Sequence, residues 1–542
     1  MLRFINTALC TALLIITCTI TATAEVKLSS VISDGVVLQR DANVNIWGTA
    51  NPDEKVTVTF AGQKKETTAD RFGRWQVKLD PMAASSEARP LTTSGAQNTV
   101  SVGSVFIGDV WLYLSPSFHL NEKNKVPMDA DPGTIISANA CDLWEKNNHS
   151  QRPLAGTDSG PKLGWGVFKE PGKYFRNDGY NLGLGVARHV KVPIGIMGLN
   201  GSTLESMTPP EGFQAYEKEL GELGSAVAGW VPQTVSGKPA FLESINDVEA
   251  WIKKTRPVLQ KENVTFADVA QPPEVPGPPA LGRAPTTFYN KVIHRYTPAT
   301  IRGIILQPKS YNIGDPQYLV KAQALISGLR TRMGKDLPVC FVQMHSPGRH
   351  EDVKTENPAD VITMRALQNK LATLPNTTVL ASYDLVKTGK SEPDAGLRAA
   401  QWVVAQVNGD AIKTGPIYKI HMVDGNRIIV EFTNIGRGLI VGRHETGKAV
   451  QPLKGGMLGG FEIAGDDGIW HEATAKVEGD KVVVTSDTIQ KPVAVRYAWQ
   501  VDAKSANLYN KNGFPALPFS SRTPPQKHLA IANHQPTKEL TL

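Results

Sequence analysis

The chain has 542 residues, 41% of them hydrophobic and 20% charged, with a formal net charge of +7 at pH 7. That length excludes a single small domain, and the apolar content excludes a wholly disordered chain. The 58 basic residues are scattered among 51 acidic ones, with no basic run longer than Lys64–Lys65 or Lys253–Lys254. Charge this diffuse is a solvated surface, so nucleic acid is not an expected partner.

Residues 1–24 read as a secretory signal peptide. Arg3 supplies the positive start, Ala8–Ile20 the apolar run and Ala22-Thr23-Ala24 the small-residue cleavage site before Glu25. A secreted or periplasmic location is the expectation, with an uncleaved anchor as the alternative. Nothing later reaches eighteen uninterrupted apolar residues, so no membrane span is expected after cleavage. Cys141 and Cys340 remain in the mature chain. Outside the cytosol they are free to pair, and two buried thiols fit the sequence equally well. No Cys-x-x-Cys or His-Glu-x-x-His spacing occurs, so neither a metal nor an organic cofactor is expected.

Residues 25–105 alternate as short strands. Val56-x-Val58-x-Phe60 and Trp75-x-Val77-x-Leu79 are separated by the turn at Arg71-Phe72-Gly73, which predicts a β-sandwich-type domain. The pattern changes over 106–412. Ile194–Met197, Ile301–Leu306, Val339–Met344 and Thr378–Ala381 are apolar runs suited to strands buried on both faces. Helical patterns lie between them. One starts at Asp315-Pro316 and carries Leu319, Ala322, Leu325, Leu329 and Met333; Val361–Leu371 and Leu397–Val407 are others. This alternation predicts a doubly wound parallel α/β sheet. Two insertions interrupt it: 118–173, polar and read as loop, and 211–285, helical around Val248, Trp251 and Ile252 before a proline-rich connector. Residues 413–522 return to β, with Asp424-Gly425 and Gly479-Asp480 at hairpin turns, and 523–542 form a polar tail.

Particular residues carry a resemblance that spans nearly all of the mature chain. They include Leu38-Gln39-Arg40, Gly108-Asp109-Val110-Trp111-Leu112, Gly201–Glu205, Thr208-Pro209-Pro210, Tyr289-Asn290, Phe341-Val342-Gln343 and Asn507-Leu508-Tyr509-Asn510. In these the chain resembles the bacterial sialate O-acetylesterases, a branch of the SGNH hydrolases. The resemblance implies an SGNH-hydrolase-like α/β domain flanked by β-sandwich-type domains at both ends, acting outside the cytoplasm on acetylated sugars.

The catalytic segments depart from that pattern. The family's Gly-Gln-Ser-Asn-Met falls at Ser115-Pro116-Ser117-Phe118-His119, which retains Ser117 as the positional nucleophile. Its Trp-Tyr-Gln-Gly-Glu-Ser-Asn block falls at Leu306–Asn312 and retains Asn312. With Gly201, Asn312 would be an oxyanion donor. Its Asp-Ile-His-Pro falls at Lys390-Ser391-Glu392-Pro393, and no histidine lies between His350 and His421. A serine hydroxyl needs a base within hydrogen-bond reach. Losing triad function costs serine hydrolases roughly four to six orders of magnitude in rate. His345, at the end of the Val339–Met344 strand where a sheet of this kind places its active site, is one candidate substitute base, and Lys309 paired with Ser117 is another.

Two functions follow from the residues. One is an exported, catalytically impaired esterase-like protein that binds a carbohydrate or a protein partner. The other is an active carbohydrate O-acetylesterase using Ser117 and a non-standard base. In either, Tyr113, Phe118, Lys309 and Tyr311 are the side chains expected to line the crevice, with a carbohydrate or acetylated glycan as ligand.

Overall fold

The computed structural model describes residues 25–115, 136–141, 165–168, 177–231, 234–235, 237–261, 264–265, 269–273, 276, 284–308, 310–344, 358–385, 393–445 and 449–522. The leader predicted at 1–24 and the tail at 523–542 lie outside them.

Near the N-terminus, alternation dictates two-sided strands. Along Lys55–Phe60 and Arg74–Leu79 every second side chain is buried, so Val56, Val58, Phe60, Trp75, Val77 and Leu79 form one interior. Val44–Thr49 pairs antiparallel with Arg74–Leu79, and Lys55–Phe60 with both Gln63–Thr68 and Ser85–Ser94.

The α/β core follows without a break. Its strands are numbered here β1 (Thr99–Ser115), β2 (Ile136–Cys141), β3 (Trp165–Phe168), β4 (Ile194–Asn200), β5 (Gly303–Leu306), β6 (Val339–Val342) and β7 (Thr377–Leu380). They lie in the order β3-β2-β4-β1-β5-β6-β7, all parallel except the β2–β3 pair. The N-terminal part of β1 pairs antiparallel with Ser85–Ser94 and parallel with Val37–Gln39, so one strand serves both domains across positions 105 and 106. Gly108 is required where β1 meets the chain entering β4. Asp109 donates its backbone N–H to the Pro193 carbonyl at 2.9 Å, and a β-carbon on Gly108 would collide with that oxygen.

The helices are α1 (Asn177–Ala187), α2 (Leu204–Met207), α3 (Pro210–Ala215), α4 (Glu217–Leu220), α5 (Glu222–Ala228), α6 (Gly237–Leu259), α7 (Tyr318–Met333), α8 (Pro358–Lys370) and α9 (Pro393–Asn408). Successive side chains of β1 point to opposite faces and meet different helices. Trp111 and Tyr113 join a buried cluster with Leu182, Ala399 and Trp402 of α1 and α9, the two indoles meeting edge-on with centroids 5.6 Å apart. Leu112 and Leu114 belong to the other main cluster with Leu325 and Leu329 of α7 and Val361 and Met364 of α8. Helices on both faces explain why β5 and β6 are apolar throughout.

Beyond α9 the described residues form three antiparallel sheets. One orders Ile417–Asp424, Arg427–Thr433, Lys481–Thr485 and Thr474–Glu478; a second orders Gln451–Pro452, Leu439–Arg443 and Leu508–Asn510; the third orders Trp470–Glu472, Phe461–Ala464, Ala494–Tyr497 and Phe519–Ser520. Gly425, with φ of 61°, turns the first hairpin as the Asp-Gly pair predicts.

Two details differ from the sequence expectation, and the structure decides between the two alternatives left open for the cysteines. The insertion at 118–173, read as loop, contributes β2 and β3 to the sheet edge. The helix expected from Asp315-Pro316 begins at Tyr318. The Asp315 carboxylate instead accepts from the backbone N–H of Gln317 at 2.8 Å, a local turn that delays the first helical residue. Cys340 is a free, buried thiol. Four strand spacings separate β6 from β2, roughly 19 Å in all, which is far beyond disulfide reach of Cys141. Among the described residues, no helix is long and apolar enough to cross a membrane.

Candidate functional site at the carboxyl ends of the central strands

In the sheet, β4 lies on one side of β1 and β5 on the other. The chain passes from β1 to β2, β3 and β4 on one side and then crosses to β5 on the other, so the strand order reverses at β1, and the carboxyl ends of strands at such a reversal are where doubly wound sheets hold ligands. The chain entering from β1 is fixed up to its last residues. Tyr113 is fully buried, and its hydroxyl donates to Oε1 of Gln307 at 2.7 Å, while the Gln307 backbone N–H donates to the Leu114 carbonyl at 2.8 Å. Tyr113 therefore ties β1 to the residue after β5 from inside the core and does not present its hydroxyl to solvent. Ser117 and Phe118, two and three positions beyond β1, lie outside the described residues, as do Lys309, His345, Lys390 and Glu392.

The corner after β4 is described. Gly201 is buried, and the Thr203 hydroxyl caps α2 by accepting from the backbone N–H of Ser206 at 3.3 Å. Asn312 docks onto this turn. Its Oδ1 accepts from the Leu204 backbone N–H at 3.1 Å, and its Nδ2 donates to Glu205 at 2.9 Å and to Asp315 at 3.3 Å. Lys321 in turn pairs with Asp315 at 2.6 Å. An Asn amide has two hydrogens, and here both are given to carboxylates. Asn312 is thus held at the turn that begins three residues before Leu204 with the buried Gly201, the half-buried Tyr311 precedes it in the chain, and Tyr113 lies in the buried cluster on the α1–α9 face of the sheet.

At the end of β6 a set of buried polar side chains emerges that the sequence reading did not single out. Gln343 donates to Asn369 at 2.6 Å and to the Arg365 carbonyl at 3.0 Å, and the Ser382 hydroxyl donates to the Gln343 carbonyl at 2.6 Å. Arg365 donates from Nε to the Met344 carbonyl and from Nη1 to the Gln500 carbonyl, both at 3.0 Å. Gln368 accepts from the Met344 N–H at 3.3 Å and donates to the Tyr318 hydroxyl at 2.8 Å. Burial pushes Arg365 down to about 10 and lifts Tyr318 above the usual phenol range. Both backbone groups of Met344, the residue before His345, are consequently tied. The signal was present in α8: Arg365, Gln368 and Asn369 are polar at helical spacing on a face that otherwise packs inward.

After β7, Asp384 is buried and receives Nη2 of Arg398 at 2.8 Å and the Tyr509 hydroxyl at 2.9 Å, both on Oδ2. Burial alone would lower Arg398, but the adjacent carboxylate more than offsets it and holds the guanidinium above its ordinary value. Among the described residues no group of three or more His, Cys, Asp or Glu side chains gathers to hold a metal.

With this geometry in view, the chain aligns with the crystal structure of XAC1771, described as a novel carbohydrate acetylesterase from Xanthomonas citri. The alignment has a TM-score of 0.67 and 23% identity, and covers 92% of this chain and 100% of that one. The two share a fold. A protein from Arabidopsis thaliana aligns at a TM-score of 0.27 and 11% identity over 56% of this chain and 100% of its own, too low to carry an argument. No family model matches the chain, and no curated protein matches it in sequence.

Proposed function

We propose that this chain is an exported, sialate O-acetylesterase-like protein with an SGNH-type core, whose hydrolytic machinery is impaired and whose crevice binds a carbohydrate or a protein partner. The observation that carries this reading is the commitment of Asn312. The residue that the resemblance assigns to the oxyanion gives both amide hydrogens to Glu205 and Asp315 instead. A negative charge developing on a substrate oxygen beside two carboxylates would be repelled, not stabilised. The sequence agrees, because the stretch between His350 and His421 has no imidazole to act as the base. The predicted leader at 1–24 supports export, and the fold shared with a carbohydrate acetylesterase supports a sugar as the ligand class.

A second reading rests on a different observation. Both backbone groups of Met344 are tied, so the chain is fixed up to the residue before His345. Ser117 and His345 would then retain acetyl-ester hydrolysis with a non-standard base.

One experiment separates the two. The mature protein is assayed with p-nitrophenyl acetate and acetylated sugars beside Ser117→Ala and His345→Ala. The first reading expects equal, background rates in all three and no labelling of Ser117 by an organophosphonate. Turnover that disappears in both variants overturns it in favour of the second.

A further inference from the structure

Elsewhere in this fold, buried charges are answered. Asp109 meets Arg40 and Arg302, Asp384 meets Arg398, and Glu462 meets Arg496. Arg365 gives two nitrogens to backbone carbonyls. Arg295 is the exception. It is 1% exposed and lies where a π-helical turn, Tyr289–Ile293, passes into a 3-10 turn, His294–Tyr296. Its Nη2 donates to the Lys291 carbonyl at 2.9 Å. Nε and Nη1, which carry three of the five guanidinium hydrogens, meet no acceptor, and no ion pair among the described residues includes Arg295.

The sequence explains why no counter-charge is at hand. No Asp or Glu occurs between Glu274 and Asp315, a stretch that carries Arg283, Lys291, Arg295, Arg302 and Lys309. The carboxylates that folding brings to this stretch are already engaged. Asp109 holds Arg302, Glu211 holds Arg332 at 3.1 Å, and Glu205 accepts from Asn312. The flanking Val292, Ile293 and Tyr296 belong to the main apolar cluster, so the surroundings screen little. A guanidinium stays protonated in proteins, and a buried charge left unpaired is strongly destabilising. Waters would satisfy its hydrogens but leave its charge uncompensated. An anion does both, and at this depth it must be small.

We propose that the folded chain takes up a small monovalent anion, chloride in ordinary solution, which Arg295 binds in the interior through Nε or Nη1. The anion neutralises the guanidinium and fixes the turn Tyr289–Tyr296. That turn is tied on one side to the corner after β4, where the Thr286 backbone N–H donates to the Glu205 carbonyl at 3.0 Å, and leads on the other into β5. The proposal is independent of the functional reading, and its failure leaves that reading untouched.

Thermal melts of the mature chain test it, with sodium gluconate replaced stepwise by sodium chloride at constant ionic strength. The wild-type Tm is expected to rise by about 2 °C for each tenfold increase in chloride above its Kd. In Arg295→Met, which keeps an unbranched stem and removes the charge, that rise is lost. A second readout needs no variant: in bromide-soaked crystals of the wild type, anomalous density is expected within hydrogen-bond reach of the Arg295 guanidinium. A wild-type Tm indifferent to chloride overturns the proposal. So does an equal chloride response in Arg295→Met, or a guanidinium with no bromide beside it.

Discussion

The hydroxyl of Tyr509, in the C-terminal domain, reaches Oδ2 of Asp384, in the α/β core, at 2.9 Å. The same oxygen takes Arg398 from α9, so one buried carboxylate joins two domains and a helix. Removing it strands a buried guanidinium. Asp384→Ala is expected to cost about 3–5 kcal/mol and Tyr509→Phe about 1–3 kcal/mol. Urea unfolding checks both, and a near-neutral Asp384→Ala would refute the assignment.

The central strand β1 holds a comparable clamp. Asp109 is fully buried and receives Nε of Arg40 and Nη1 of Arg302, each at 2.9 Å. The hydrogen bond to Asp109 holds Arg40 above its ordinary value. Either arginine alone still neutralises the carboxylate, so Arg40→Ala and Arg302→Ala are each expected to cost about 1–2 kcal/mol. The double variant leaves the charge unpaired and should exceed their sum by about 1 kcal/mol or more. Strict additivity in a double-mutant cycle would count against a shared role.

Asn312→Asp puts a third carboxylate against Glu205 and Asp315. The expected loss is about 1–3 kcal/mol at neutral pH, shrinking as the solution is acidified through the carboxylate range, where one of the three takes up a proton. Thermal melts of variant and wild type across that range test it. A pH-independent difference would mean that repulsion is not the cause.

Burial lifts Tyr383, Tyr497 and Tyr509 above the usual phenol range. The folded chain then keeps protons that the unfolded chain loses near pH 10. Their contribution to stability is complete below about pH 10 and declines as the pH climbs toward the raised values. Alkaline titration is expected to show phenolate absorbance from exposed tyrosines first and from these three only as the protein unfolds. Simultaneous ionisation in a still-folded chain would contradict their burial.

Much of the architecture is legible in the residues, for identifiable reasons. Val339-Cys340-Phe341-Val342 is apolar throughout because helices cover both faces of the sheet, and Asp424-Gly425 marks its hairpin because the turn needs positive φ. The strand Ile136–Cys141 gave no such signal. Its Ser-Ala-Asn-Ala centre has neither alternation nor bulk, and only pairing with β4 makes it a strand. At the site, the motif drew attention to Asn312, but the recipients of its hydrogens lie 107 and 3 positions away, and folding alone brings them together. The polar set on α8 was missed because each residue is unremarkable until its helix is packed.

The seventeen residues of β1 also govern how the molecule can be dissected. They enter as a partner of Ser85–Ser94 and finish beside β4 and β5, so excising the first lobe at residue 105 would cut a continuous ribbon and strip the middle of the sheet of its anchorage. The two lobes are one mechanical piece, and a push on either is transmitted along a single backbone to the mouth of the crevice.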